Sequence, residues 1–262
     1  MTRAELLRRM QDELHEGGLH GYILVRDLLT GEELGIEPDT QLPAASLVKV
    51  PLAGATAERI RRGELDGEAV LDVQPGRLTT PGPTGLSHFR HPARIAVDDL
   101  LYLSTSLSDG TAADALFTLT PPDQVSAILE ELGLRGISVR HTIGELTDTP
   151  AERFDAPQTH LAHALAIDAG TSGRGHRIRS LMTHNLLRHR LAPDFDSDAS
   201  TWSSKTGTLL NLRHEIGVVE HADRQTFAIA VLTESFVPAG TQPGAGALMA
   251  QVARTLRDHL RQ

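Results

Sequence analysis

The chain has no cysteine and few aromatic residues, and each shortage removes a class of explanation. Without cysteine there is no disulfide, no thiol nucleophile and no thiolate metal site. With aromatics at 3%, aliphatic side chains must fill the interior. The apolar fraction of 40% and the length of 262 residues allow a substantial core, in one large domain or in two lobes sharing an interface. An excess of positive charge is missing too. A net charge of -9 argues against a nucleic-acid partner, because phosphate binding needs a basic surface. The densest basic cluster, Arg59, Arg61 and Arg62, falls where a helix should end, and the helix dipole accounts for it.

Long apolar runs are absent as well. No stretch approaches the length needed to span a bilayer, so no membrane partner is expected. Met1 to Gly17 reads as an amphipathic helix, with Ala4, Leu6, Leu7, Met10 and Leu14 interleaved with charges. It has no uninterrupted apolar core and no small-residue cleavage site, unlike a secretory signal. Cytoplasmic localisation is the expectation, and a secreted or periplasmic one if a leader was trimmed.

Gly21 to Arg26 is a β-type run, followed by a turn at Leu28-Leu29-Thr30-Gly31 and a short strand near Glu32 to Ile36. Ala44 to Arg62 turns helical and ends at Gly63, a C-cap glycine. Pro51 lies inside it, so a distorted or tightly wound first turn is expected around Ser46 to Val50. Helical segments follow near Val97 to Ser106, Thr111 to Thr118, Pro122 to Leu132, Pro157 to Asp168 and Arg177 to Arg188, with a long loop over Gly136 to Asp155. The β signal returns at Trp202 to Lys205, Ile216 to Val219 and Thr226 to Thr233, before a closing helix over Gly244 to Leu260. The economical architecture is an α/β (α+β) fold. Its antiparallel sheet is built from both termini and flanked by helices, and an all-helical lobe is inserted between. The whole chain, 1–262, is read as one domain. Its sheet lobe covers about 1–42 and 195–262, and its helical lobe about 43–194.

Three short words then stand in order: Ser46-Leu47-Val48-Lys49, Ser108-Asp109-Gly110 and Lys205-Thr206-Gly207. A Ser-x-x-Lys arises about once by chance in a chain this long, and alone it is usually an N-cap beside a solvated lysine. All three in this order, about sixty and then about a hundred residues apart, are far harder to obtain by accident. They fall at the seam between the lobes, a common place for a pocket. Ser46 and Lys49 are three apart on a helix, so their side chains can touch. A serine hydroxyl needs a base, and a lysine serves only when neutral; burial and a second cation at Lys205 both push Lys49 that way. The helix start offers free N–H groups to a developing oxyanion. Ser108 is either a helix N-cap or a hydroxyl that relays a proton between the amines and a leaving group. Gly207 would let a substrate lie close to the backbone, Thr208 could supply a second oxyanion N–H, and Lys205 with Thr206 could hold a carboxylate.

The set resembles the signature of class A β-lactamases and their penicillin-binding relatives. The likeness extends over Pro43 to Val50, over Leu107 to Asp114, and over Lys205 to Leu209 with Arg213, Glu215 and Gly217-Val218-Val219 beyond. It implies a β-lactamase-like two-lobed fold and a serine acyl-enzyme mechanism with Ser46 as nucleophile, no cofactor, and Thr206, Thr208 and Arg213 against a substrate carboxylate. Two departures stand out. Gly110 occupies the place where most members carry Asn, a side chain that contacts substrate. The family's deacylating glutamate is hard to place: His141 to Asp148 reads as a shortened version of the region that carries it, with Glu145 the nearest candidate and Glu152 and Asp155 behind it. The expected function is therefore a serine acyl hydrolase acting on a β-lactam or related small acyl compound. The alternatives are a penicillin-binding-like enzyme, an intracellular esterase or acyltransferase, and a non-catalytic ligand-binding protein. Among the 13 histidines, the pairs His88/His91 and His160/His163 lack a third ligand nearby in sequence, so no metal is expected. Asp194, Asp196 and Asp198 imitate a calcium loop without its glycine and closing glutamate.

Overall fold

A computed structural model describes residues 1–75, 84–134, 136–144, 158–159 and 173–261. Helix α1 (Arg3–Glu16) starts on a capping box, with Thr2 and Glu5 each satisfying the other's backbone N–H. It buries Leu6, Met10 and Leu14. That spacing lays all three on one face, each contributing about 1.5–3 kcal/mol if fully removed from water. Strands β1 (Leu19–Asp27) and β2 (Glu33–Ile36) follow, joined by a turn in which the Asp27 carboxylate accepts from the N–H groups of Leu29 and Thr30. The last third of the chain supplies β7 (Ser200–Leu209), β8 (Leu212–His221) and β9 (Thr226–Ser235), then helix α8 (Ala245–Leu260). Together the two ends form one antiparallel sheet in the order β2-β1-β9-β8-β7.

Both faces of this sheet are covered, which is why its central strands read as nearly unbroken apolar runs. On one face, Ile23, Val25, Trp202 and Ile229 pack with residues of α1 and α8. On the other, Tyr22, Leu24, Ile216 and Ala230 pack with the helical lobe. That lobe begins with β3 (Leu42–Pro43), a 3-10 turn over Ala45–Val48, and α2 (Lys49–Arg61). The tight turn where Pro51 had pointed is thus present. Gly63 follows α2 with φ +73, the left-handed conformation a glycine adopts without strain. The arginines at this end do more than answer the dipole. Arg61 and Arg62 both donate to the buried Glu58 carboxylate, and Arg59 donates to Glu64 and to Leu119 O.

Helices α3 (Val97–Ser106), α4 (Gly110–Leu119) and α5 (Pro122–Glu131) stand where periodicity placed them. Three differences emerge. The lobe also carries a short ladder, β4 (Val70–Val73) with β5 (Ala93–Ala96), too brief and too exposed for alternation to reveal. Near the expected helix at Pro157 to Asp168, Gln158–Thr159 form strand β6 and pair with β3; the remainder of that span lies outside the described residues. Helix α6 (Gly173–Thr183) is shifted towards the amino terminus relative to Arg177 to Arg188, and a short α7 (Ala192–Phe195) follows. Beyond α6, Asn185 is buried with its carboxamide on Leu187 N and Ser204 Oγ, and these bonds replace a further helical turn.

Candidate active site

Ser46 sits in the 3-10 turn that leads into α2, and Lys49 is the first residue of α2. Lys49 Nζ lies 3.1 Å from Ser46 Oγ, 3.2 Å from Ser108 Oγ and 2.8 Å from Ser108 O. Lys205 reaches in from the edge strand β7, with Nζ 2.9 Å from Ser108 Oγ and 2.7 Å from Thr206 O. The three words therefore meet at one cluster of polar tips, contributed from both lobes. Ser46 and Ser108 are half-buried, and both lysines are buried, Lys205 completely.

Two residues here hold backbone conformations that non-glycine residues seldom adopt: Ala45 with φ +50 and Ser108 with φ +59. Each costs about 1–3 kcal/mol and persists only where the surroundings over-determine it. The strain at Ser108 has a visible return, since it presents both its carbonyl and its hydroxyl to Lys49. The helix cap belongs to the next residue. Asp109 accepts from the N–H groups of Thr111 and Ala112, and also from Leu86 N at 2.6 Å. Ser108 is thus free of the N-cap duty that its position had suggested.

Burial dominates the electrostatics. It lowers the Lys49 amine to about 8, against the opposing pull of Asp109 and Asp114. It pushes Lys205 well below the usual lysine range, assisted by the charges of Lys49 and Arg190 and opposed by Glu215. The two amines bond the same hydroxyl oxygen, so they are at most about 6 Å apart; if both were charged they would repel by about 3 kcal/mol at an effective dielectric of 20. A neutral amine in this cluster is therefore favoured by both desolvation and repulsion.

Around Gly207 the chain packs tightly against itself. A Cβ there would lie 3.0 Å from Ala44 O and 3.2 Å from Leu47 Cγ. The missing side chain lets β7 press on the turn that carries Ser46. Thr206 is buried, and Thr208 is exposed at the strand edge with Arg213 opposite it in register. Arg213 donates to Gln242 O at 2.9 Å. Gly110 opens α4, and a Cβ there would meet Ile143 Cγ2 at 3.2 Å. Ile143 and Gly144 are held through their N–H groups by the Asp114 carboxylate. Glu145, Glu152 and Asp155, the candidates for a water-activating base, lie outside the described residues.

Sequence reasoning passed over two residues beside this site. Arg190 is buried behind β7–β8, with Nη1 donating to Gly207 O at 2.8 Å and His214 O at 2.5 Å, and Nη2 to Thr208 Oγ1. Burial lowers its guanidinium to about 10. Nearby, Glu215 accepts from Leu191 N and Trp202 Nε1, and burial raises its carboxyl above the usual range. His214 is fully buried and bonds Pro43 O. Neither Arg190 nor His214 belongs to a short word, so only tertiary contact exposes them. Among the described residues, no group of three or more His, Asp or Glu side chains is placed to share a metal ion, and no helix is long and apolar enough to cross a membrane.

Comparison with known proteins agrees with this architecture. A family model described as the beta-lactamase enzyme family matches residues 5–260. A Streptomyces cacaoi protein named beta-lactamase regulatory protein BlaB is 62% identical, over 100% of this chain and 99% of its own. A beta-lactamase from Chitinophaga pinensis DSM 2588 shares the fold with a TM-score of 0.86 at 17% identity, over 98% of this chain and 99% of that one. A variant of PBP-A, solved as an acyl-enzyme complex with penicillin G, does so with a TM-score of 0.82 at 19% identity, over 98% and 97%.

Proposed function

Because the chain belongs to the beta-lactamase enzyme family, a family of serine hydrolases, we propose that it opens a β-lactam or related cyclic acyl compound through an ester formed on Ser46. The observation that carries this reading is the convergence of Ser46 Oγ, Lys49 Nζ, Ser108 Oγ and Lys205 Nζ through bonds of 2.9–3.2 Å. Neutral Lys49 takes the proton of Ser46 as its oxygen adds to the carbonyl carbon. The amide C–N bond then breaks, and the proton passes by way of Ser108 to the leaving nitrogen. The N–H groups of Ser46 and Thr208 receive the oxyanion. Strand alternation supports this: Thr208 N–H leaves β7 on the same side as Thr206 C=O, which already meets Lys205 Nζ. Lys205, Thr206 and Arg213 supply the surroundings for a substrate carboxylate. Addition of water to the ester would complete hydrolysis, with Glu145 as the proposed base.

A second reading ends at the ester. The name of the Streptomyces cacaoi relative describes regulation, and Gly110 removes an amide that substrate would touch. In that case the protein captures the acyl compound and releases it slowly, as a penicillin-binding-like protein or sensor would. Incubation with a chromogenic cephalosporin followed by intact mass separates the readings. Colour with no lasting adduct indicates turnover; a persistent adduct, absent in Ser46→Ala, indicates capture. Neither colour nor adduct would reject both readings for β-lactams and leave another acyl substrate or ligand binding.

A further inference from the structure

We infer that His214 is a positioning residue that fixes the turn carrying Ser46 against the strand edge carrying Thr208; its effect on chemistry rests on the acylation reading above. His214 lies on β8 directly opposite Gly207 in register. Its neighbour across the ladder has no side chain, and the imidazole meets the chain entering the nucleophile turn. There Nε2 lies 3.0 Å from Pro43 O, three residues before Ser46.

The tautomer follows from Pro43 O, which can only accept, and the other nitrogen agrees with it. Thr233 N–H donates to Nδ1 at 3.3 Å, so Nδ1 holds a lone pair, the proton sits on Nε2, and Nε2 donates to Pro43 O. Burial lowers the ring to about 4, opposed by the Pro43 and Arg213 carbonyls and assisted by the Arg190 charge, and so keeps it neutral. The imidazole thus bridges three segments: β9 through Thr233, its own strand, and the turn through Pro43.

What it holds is strained and needs holding. Ala45, between Pro43 and Ser46, keeps φ +50, and the turn closes through Leu47 N to Ala44 O at 3.0 Å. Ala44 O in turn rests against Gly207, one residue before Thr208. Pro43 O and Ala44 O are therefore both seated on the same cross-strand pair, Gly207 and His214. The separation between Ser46 N–H and Thr208 N–H is set by these two contacts. Loss of the His214 contact removes the hydrogen bond that ties the entry of the turn to β8, and displacements of about 1 Å at reacting groups cost about a hundredfold in rate.

The test contrasts three variants of the full chain. In His214→Gln the amide can donate to Pro43 O and accept from Thr233 N–H. In His214→Asn it can satisfy Thr233 but is too short to reach Pro43, and His214→Leu satisfies neither. Acylation by a fluorescent penicillin and amide hydrogen exchange over residues 44–49 and 206–209 are measured with the melting temperature. We expect His214→Asn and His214→Leu to acylate roughly 10- to 100-fold more slowly than wild type, and to exchange faster in both segments. His214→Gln should recover most of each loss. Wild-type acylation in His214→Asn, or unchanged exchange in both segments, would overturn the inference. A merely structural role would lower the melting temperature of Gln and Asn variants alike without separating their acylation rates. If wild type takes no penicillin, the acylation reading fails for that compound, and the exchange data still decide the role of His214. If His214→Leu does not fold, the Gln and Asn pair decides it.

Discussion

Lys49 and Lys205 donate to one oxygen, the hydroxyl of Ser108, at 3.2 and 2.9 Å, and they come to it from different lobes. One rises from the first turn of α2, the other from an edge strand of the sheet. The pairing makes each amine a reason for the other to lose its proton. A surface lysine could not act as a base near neutrality; this arrangement permits it.

Acylation should follow the titration of Lys49. With the amine lowered to about 8, roughly a tenth is neutral at pH 7. The rate constant for adduct formation should rise about tenfold between pH 7 and 9 and then level. A profile flat across this range, from stopped-flow or quenched mass measurements, would remove Lys49 as the base.

The same shift has a consequence for stability. The folded pKa of Lys49 lies below the unfolded value, so the unfolded chain binds more protons between about 8 and 10.5. Stability therefore rises with pH across that window, and the full cost, about 3 kcal/mol, is present below it. Lys49→Met should abolish acylation yet stabilise the fold at pH 7 by about 1–2 kcal/mol once the lost bonds to Ser46 and Ser108 are deducted, and so raise the melting temperature. That advantage should shrink in thermal scans at pH 10.

Gly207→Ala places a methyl group 3.0 Å from Ala44 O, a backbone atom that cannot swing aside. A loss of about 1–3 kcal/mol is expected from the overpacking. Because the displaced atom belongs to the Ser46 turn, the acylation rate constant should fall more than the affinity for substrate. Single-turnover kinetics over a range of concentrations would separate the two.

Gly110→Asn should act in the opposite sense. Its Cβ would meet only a methyl group of Ile143, at 3.2 Å, so the stability cost should stay under about 1 kcal/mol. The added amide supplies the side chain that the resemblance to class A β-lactamases leads one to expect at this position. The second-order rate of acylation by a penicillin should increase, and an unchanged rate would show that this position does not meet the ligand.

Legibility in the sequence followed the range of the interactions involved. Ser46, Lys49, Ser108 and Lys205 were found because their side chains must be those types at those spacings. α3 was found because its apolar positions repeat, and β8 because both of its faces are buried. Asp109 was in plain view as part of a word, but its three backbone partners lie on α4 and at Leu86 and become visible only when folded. Arg190 and His214 leave no local mark. Their partners, Gly207, Thr208, Pro43 and Thr233, are separated from them by up to 171 positions. The β4–β5 ladder escaped for another reason: only Val73 is buried and the rest are half-buried or exposed, so neither face imposes an alternation.

Strand β1 has β2 on one side, and on the other it is closed by β9, which pairs Leu19 with Ser235 and Asp27 with Phe227. During synthesis the ribosome releases Ser46, Lys49 and Ser108 long before Lys205 emerges. A nascent chain paused at that stage carries the nucleophile without its second amine and with one edge of its first strand unpaired. Chemistry should therefore switch on abruptly, only once β7, β8 and β9 have all arrived and closed the sheet on β1.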